Sequence, residues 1–280
     1  MKKLLSGVLV VVLILTFCST LIFASENPSE QALEQLGIEL KKEFSNEQEK
    51  STITQFIESY KNDNAFSEHY RNSPEDALLM VKNVIESVIH SEKEADTYWF
   101  SGNVAGVDNV PVLKQATNYY CGVASALQVI VSKGASSRIP GNDYNEKQVN
   151  LNRDYFHIPH NGSAMVYQVR NCINNYTSTQ YAYIRGDTIS ITQFKAMIHG
   201  SLRNNNPPIL HAIPKYLPYY PNTATTGHYI TVVGINYDND TITLNDCNYQ
   251  PPYNGLFTVS ITDAYNAIAA TSERYLIHGF

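Results

Sequence analysis

Apolar positions along the chain change their spacing near residue 98. Before that point they recur every three to four residues in stretches that begin near Ser29, cover Gln48 to Tyr60, and follow Ser73 and Pro74. A serine before a proline in the first turn is a helix-start signal, so the pattern predicts two or three amphipathic helices. After residue 98, helical stretches precede short runs of β-branched residues, which predicts an α+β fold.

Further elements of the second half follow from the same spacing rules. Helices are predicted over 121–133, 163–176 and 192–202, strands over 181–184, 208–213 and within 227–246, and a long surface loop with one short helix over 135–162. In the second of these helices, Met165, Val169 and Cys172 are predicted to face inward.

The most apolar predicted helix begins at Cys121. Its apolar positions surround most of the helix, which is typical of a buried helix, and Lys133 followed by Gly134 is a stop signal. A cysteine in the first turn faces unpaired N–H groups and the positive end of the helix dipole, and both favour the thiolate. Taken alone, Cys121 could equally be a small buried hydrophobic residue.

A β-hairpin is predicted between Gly227 and Asp246. One apolar strand follows His228, residues 238–240 form the turn, and a second strand ends at Asp246. This arrangement brings His228 and Asp246 to the same end of the sheet, where the carboxylate could hold the imidazole in one tautomer for proton transfer. His211, in the preceding predicted strand, is the other candidate and is interpreted as a satisfied core histidine.

The order of these residues resembles that of a papain-like cysteine peptidase, and the closer match is to the bacteriocin-leader-peptidase-like (double-glycine-peptidase-like) branch. The matching residues are Gln115 six residues before Cys121-Gly122, then Gly227-His228, then Asn245-Asp246. The resemblance covers residues 108–280. It implies a helix bearing the cysteine packed on an antiparallel sheet, with Cys121 as nucleophile, His228 as base, Asp246 as its partner and Gln115 in the oxyanion hole. One departure is Cys247, where the family usually has proline.

The resemblance leaves several functions open. It implies a hydrolase acting on a peptide or protein substrate, but the fold also serves cell-wall amide hydrolases and acyltransferases, and a retired site could serve a secreted binding protein. A carboxylate as the third member favours the peptidase over amide hydrolases, which usually have a second histidine. No cofactor, metal or nucleic-acid partner is predicted, since Pro159 breaks the spacing of His157 and His160, and no basic patch occurs.

Residues 1–24 have the pattern of a signal peptide, two lysines followed by an apolar run. A run of about 20 residues could also span a bilayer, so an uncleaved membrane anchor is the alternative. Either interpretation predicts a secreted or cell-surface protein, and this kind of start is typical of Gram-positive bacteria.

Charge divides the remainder of the chain, whose net charge is −6 overall. Residues 26–98 contain 16 acidic and 7 basic residues, whereas residues 99–280 contain 10 acidic and 11 basic residues. We therefore predict an acidic helical segment over 25–98, either a pro-region that docks on the enzyme or a spacer, and a peptidase domain over 99–280. Three cysteines remain after residue 24; Cys121 is predicted to be free, and Cys172 and Cys247 could pair or stay reduced.

Overall fold

The computed structural model describes residues 27–44, 46–98 and 104–279. The predicted signal segment, residues 1–24, lies outside the described residues. None of the helices in these ranges combines the length and apolarity that a bilayer crossing requires. The chain divides into two compact units, Met1–Glu92 and Lys93–Phe280.

The first unit is helical. Its elements are α1 (Pro28–Glu43), α2 (Glu47–Lys61), α3 (Asn64–Asn72) and α4 (Pro74–Tyr98), the last of which continues past the unit boundary. The predicted apolar stripes meet in its core, where Leu33, Phe56, Phe66 and Val84 are almost fully buried. Burial of these stripes is what stabilises helices of this length.

Two details of this unit differ from the sequence prediction. Helix α1 starts at Pro28 after Asn27, rather than at Ser29, because proline is well suited to the first helical position. Helix α3 was not predicted. The Asp63 carboxylate starts it by accepting hydrogen bonds from the backbone N–H groups of Ala65 and Phe66, at 2.8 and 3.3 Å.

The second unit is built on an antiparallel sheet. Its strands are β1 (Val104–Gly106), β2 (Tyr181–Arg185), β3 (Ile209–Ala212), β4 (His228–Asn236), β5 (Thr241–Cys247), β6 (Asn254–Ser260) and β7 (Tyr275–Gly279). Within the described residues the strand order is β2-β7-β3-β4-β5-β6, and β1 pairs with the distal part of β4. The predicted 208–213 strand therefore lies beside the histidine strand, with Ala212 opposite His228.

Helices cover this sheet. They are α5 (Cys121–Ser132), α6 (Tyr144–Leu151), α7 (Val166–Tyr176), α8 (Ile191–Arg203) and α9 (Ile261–Ala269). Helix α5 packs on both β4 and α7, and its residues 122–130 are all buried. The predicted α+β class, with the cysteine-bearing helix on an antiparallel sheet, is confirmed.

Two predictions between α5 and β2 need correction. Helix α7 begins at Val166 rather than at residue 163, so Met165 is its N-cap and is 37% exposed instead of facing inward. The predicted loop 135–162 contains more helix than expected, because α6 continues into a π-helical turn at Asn152–Phe156. The Asp143 carboxylate starts α6 by accepting from the backbone N–H of Glu146.

Candidate active site

Cys121 is the first residue of α5 and is half-buried at the helix end. Tyr120 precedes it as N-cap, and the backbone N–H of Cys121 donates to no other residue in the described ranges. A Cβ at Gly122 would lie 2.7 Å from the Cβ of Ala164 and 3.2 Å from the Tyr229 ring, so close packing at the start of α5 requires glycine after the cysteine. The helix therefore presents a thiol and an unpaired N–H together.

His228 lies between Cys121 and Asp246. It is the first residue of β4, and its Nε2 is 2.7 Å from Oδ1 of Asp246. Because a carboxylate only accepts, Nε2 is the donor in this bond. The Cys121 thiol and the His228 imidazole also interact strongly enough that each shifts the pKa of the other. His228 is therefore hydrogen-bonded to the Asp246 carboxylate and coupled electrostatically to the Cys121 thiol.

The electrostatics of Cys121, His228 and Asp246 favour a thiolate beside an imidazolium. Burial raises the pKa of Cys121, but the hydrogen bond and positive charge of His228, with the N–H groups of Tyr229 and Gly122, bring this pKa below its usual value. Burial lowers the pKa of His228, but the charge and hydrogen bond of Asp246, followed by those of Cys121, bring it above its usual value. Cys121 is therefore set to lose its proton at a pH where His228 keeps its own.

Asp246 is fully buried and accepts three further hydrogen bonds. The Tyr219 and Tyr220 hydroxyls donate to Oδ2 at 3.0 and 2.9 Å, and the backbone N–H of Asn248 donates to Oδ1 at 2.9 Å. Sequence reasoning missed both tyrosines as site residues. The available signals were a Tyr-Tyr pair shortly before His228 and the need of any buried carboxylate for donors.

Gln115 is the predicted site residue that is not joined to the other three. Its backbone N–H donates to the carbonyl of Cys247 at 2.7 Å, which anchors it beside the strand of Asp246. Its side-chain Nε2 donates to the carbonyl of Thr117 at 2.7 Å, while its Oε1 is buried without a partner in the described ranges. No hydrogen bond connects Gln115 to Cys121, His228 or Asp246 among the described residues.

A buried network of polar side chains fixes α5 against the hairpin. Gln128 of α5 donates from Nε2 to Oδ1 of Asn245 at 3.0 Å and accepts from the Thr231 hydroxyl at 2.6 Å. Asn245 in turn donates to the carbonyl of Pro111 at 3.0 Å. Since all three side chains are fully buried, each bond would be costly to leave unmade. This network holds the cysteine helix in register with the strands that carry His228 and Asp246.

His211, the alternative histidine, belongs to the surroundings of this site. Its ring stacks on Tyr229 with a centroid separation of 4.3 Å. Burial first, then the charges of Arg274 and His228, lowers its pKa to about 3, so the ring is neutral. Its Nδ1 has no hydrogen-bond partner in the described ranges, which differs from the predicted satisfied core histidine.

Neither a disulfide nor a metal site fits the cysteines near this site. Cys121, Cys172 and Cys247 are all free thiols, so the optional 172–247 disulfide does not form. Donor atoms of His228, Asp246 and Cys247 lie within 4.8 Å of one another. A metal ion there would have to break the hydrogen bond between His228 and Asp246, and burial raises the pKa of the Cys247 thiol well above its usual value.

Comparison with known proteins identifies the class. Residues 107–272 match the model of the Peptidase_C39 like family, and because this match covers more than half of the chain, the chain belongs to that family. The predicted relationship to bacteriocin-processing-like, papain-like cysteine peptidases is thereby confirmed, and with it the predicted papain-like fold. A search of curated proteins found no match.

Proposed function

We propose that this protein is a cysteine peptidase that hydrolyses peptide bonds through Cys121, His228 and Asp246. The observation that carries the proposal is the hydrogen bond between His228 and the buried Asp246 carboxylate, beside a Cys121 thiol whose pKa His228 lowers. Membership of a peptidase family supports the reaction type. A half-buried thiol at a helix N-terminus beside an imidazolium is the environment in which cysteine becomes a nucleophile at neutral pH.

The reaction proceeds in two stages. The Cys121 thiolate attacks the carbonyl carbon of the substrate peptide bond, and the resulting tetrahedral intermediate collapses as the His228 imidazolium donates its proton to the leaving amine. The acyl group is then held on Cys121 as a thioester. Neutral His228 next takes a proton from a water molecule, whose oxygen attacks the thioester, and the carboxylic acid product leaves. Asp246 keeps its charge throughout and orients the imidazole.

Two donors are available for the oxyanion of the tetrahedral intermediate. One is the unpaired backbone N–H of Cys121 at the start of α5. The other is the second N–H of the Gln115 amide, since only one hydrogen bond donated by this group is found, to Thr117. Each donor of this kind contributes about 3 kcal/mol to the stabilisation of the transition state.

Gln115→Ala is expected to lower kcat about 100-fold while the alkylation rate of Cys121 changes less than about twofold. The reason is that Gln115 acts on the developing oxyanion and makes no hydrogen bond with the thiol among the described residues. The measurement compares peptide hydrolysis with iodoacetamide consumption in the same preparations. Gln250→Ala, an exposed glutamine outside the site, is the control. Equal losses in both assays would mean that the substitution disturbs the thiol itself and would remove Gln115 from the oxyanion role.

The proposed function is tested by digestion of a peptide library made from a denatured proteome. The expected result is new peptide termini at defined sequence positions, abolished when an epoxide inhibitor labels Cys121 alone. Absence of new termini together with absence of labelling would favour a binding protein on the same fold. Labelling of Cys121 without new peptide termini would redirect the assignment to amide hydrolysis in cell walls or to acyl transfer.

The acidic segment and the N-terminal pattern support two further parts of the proposal. Residues 1–24 have the composition of a secretion signal, so we place the activity outside the cell or at its surface.

Residues 25–98 would act as a pro-region that lowers activity until it is removed. A recognition sequence for a specific protease, inserted after Gly102 of the full chain, allows a test. Cutting should raise activity at least about 10-fold if the segment inhibits, whereas unchanged activity after complete cutting would identify it as a spacer.

A further inference from the structure

Two neighbouring phenols donate to one oxygen of the Asp246 carboxylate. Tyr219 and Tyr220 reach Oδ2 at 3.0 and 2.9 Å, on the side away from the oxygen that receives His228. Asp246 thereby accepts four hydrogen bonds while it is fully buried. Hydrogen bonds to an ionised acceptor are stronger than those between neutral groups, so these phenols act on the charge of Asp246 as well as on its position.

Both tyrosine rings are held firmly by aromatic neighbours. Tyr219 stacks on Phe257 with centroids 3.9 Å apart and planes 6° from parallel, and Tyr220 stacks on Tyr253 with centroids 4.6 Å apart. The Asn248 side chain donates to the Tyr220 hydroxyl oxygen at 2.8 Å. Because that oxygen accepts from Asn248, its own hydrogen is available for Asp246. The contacts fix the direction of donation toward the carboxylate.

The chain segment that carries the tyrosines is anchored at both ends. It leaves β3 through a 3₁₀ turn at Pro214–Tyr216 and enters β4 at His228. Leu217 is fully buried, and the backbone N–H of Lys215 donates to the carbonyl of Ala224 at 2.8 Å, which closes the segment on itself. The same segment thus leads directly into His228 and supplies the two hydroxyls that hydrogen-bond to Asp246.

We propose that Tyr219 and Tyr220 are positioning residues that fix the Asp246 carboxylate and share its negative charge, so that His228 remains acidic enough to protonate the leaving amine. The inference rests on the proposed peptidase function. A carboxylate with fewer donors is more basic and holds the imidazolium proton more tightly. An imidazolium that holds its proton too tightly is a poorer general acid, and the acylation step slows.

Other titratable or charged groups around His228 come from several elements. They are Cys121 of α5, His211 of β3 and Cys247 of β5, together with Tyr253 before β6, which stacks on Tyr220, and Arg274 just before β7, which lies near Gly227 and His211. His211 is neutral because its pKa is lowered, and Cys247 is neutral because its pKa is raised, in each case first by burial. Substitution of the two phenols leaves all of these groups in place, so a change in titration would report on Asp246.

The test uses the full chain with Tyr219→Phe, Tyr220→Phe and the double variant. Phenylalanine keeps both ring stacks and removes only the hydroxyls. Tyr216→Phe is the control, since Tyr216 lies in the same segment and is 38% exposed. Two quantities are measured across pH: kcat and KM on a cleaved peptide, and the rate at which iodoacetate alkylates Cys121. Iodoacetate is an anion, so it reacts faster while His228 is protonated, and its rate falls as His228 loses that proton.

In the double variant kcat is expected to fall about 10-fold with KM within about twofold of wild type. The descending limb of the alkylation profile should move upward by about half a pH unit or more, with part of the shift in each single variant. Tyr216→Phe should match wild type in both assays.

If the descending limb of the alkylation profile does not move, the inference is overturned, whether activity is unchanged or falls in parallel with the amount of folded protein. The alkylation assay needs no peptide substrate, so it tests the role of the tyrosines even if peptide hydrolysis is never found. Absence of hydrolysis with a shifted limb would reject the proposed function alone. Loss of hydrolysis in the tyrosine variants with an unshifted limb would reject the inference alone.

Discussion

Replacement of Cys121 by alanine is expected to abolish peptide hydrolysis, with kcat reduced about 10,000-fold or more. The substitution removes the only atom that forms the thioester, so no part of the two-stage reaction remains. The fold should survive, because the side chain is half-buried at the first position of α5 and the following nine helix residues, which are all buried, are untouched. Hydrolysis of a cleaved peptide and the far-ultraviolet circular dichroism spectrum are the two measurements.

Cys172→Ala provides the matched control for this variant. Cys172 is a buried free thiol of α7 whose pKa is raised by burial, so it has no environment that would make it a nucleophile. Its loss should leave kcat within about twofold of wild type. Full activity in Cys121→Ala would discard the assignment as a cysteine peptidase, whereas loss in both variants would indicate damage to the fold.

The hairpin and the cysteine helix were predictable because their signals are local. Strand β4, the turn and strand β5 are adjacent in the chain, so alternating β-branched residues and a polar turn suffice to bring His228 and Asp246 to one end of the sheet. Helix α5 has strong apolar periodicity and a glycine with positive φ, Gly134, just after its C-cap. In each case the information lies within about 20 residues of the element itself.

Contacts between distant segments could not be read in the same way. Gln128 in a nearly continuous apolar helix is unremarkable in sequence, yet it meets Asn245 and Thr231, more than 100 positions away. Tyr219 and Tyr220 lie in a polar segment without periodicity, and only tertiary packing turns their hydroxyls toward Asp246. Burial of a carboxylate implies donors, but it does not say which segment supplies them.

Gln115 shows a further limit of reasoning from sequence. Its position before Cys121 predicts the oxyanion role, and the structure anchors its backbone beside β5. Its amide, however, bonds within its own turn to Thr117 and leaves Oε1 buried without a partner in the described ranges. The orientation of an amide depends on which partners its two ends find, and a motif carries no information about that choice.

Asp246→Asn is expected to reduce the alkylation rate of Cys121 at pH 6 by about 100-fold and kcat by about 1,000-fold. The negative charge of Asp246 raises the pKa of His228, so its removal lets burial lower that pKa and His228 loses its proton at lower pH. Cys121 then lacks the cation that opposes its own burial, and the pKa of the thiol rises. In wild type the Cys121 thiolate and the His228 imidazolium coexist at pH values between the lowered pKa of Cys121 and the raised pKa of His228. In Asp246→Asn this ion pair should be absent over that pH range.

The measurement is the iodoacetamide rate of Cys121 from pH 5 to pH 10 in both proteins. Wild type should keep a high rate at the acid end, whereas Asp246→Asn should show a rate that rises steadily toward alkaline pH, as expected for an isolated thiol. Asp263→Asn, a half-buried aspartate of the first turn of α9, is the control and should keep the wild-type profile. An Asp246→Asn profile that coincides with wild type would show that Asp246 does not hold the charge of His228, and the relay from thiol to carboxylate would have to be abandoned.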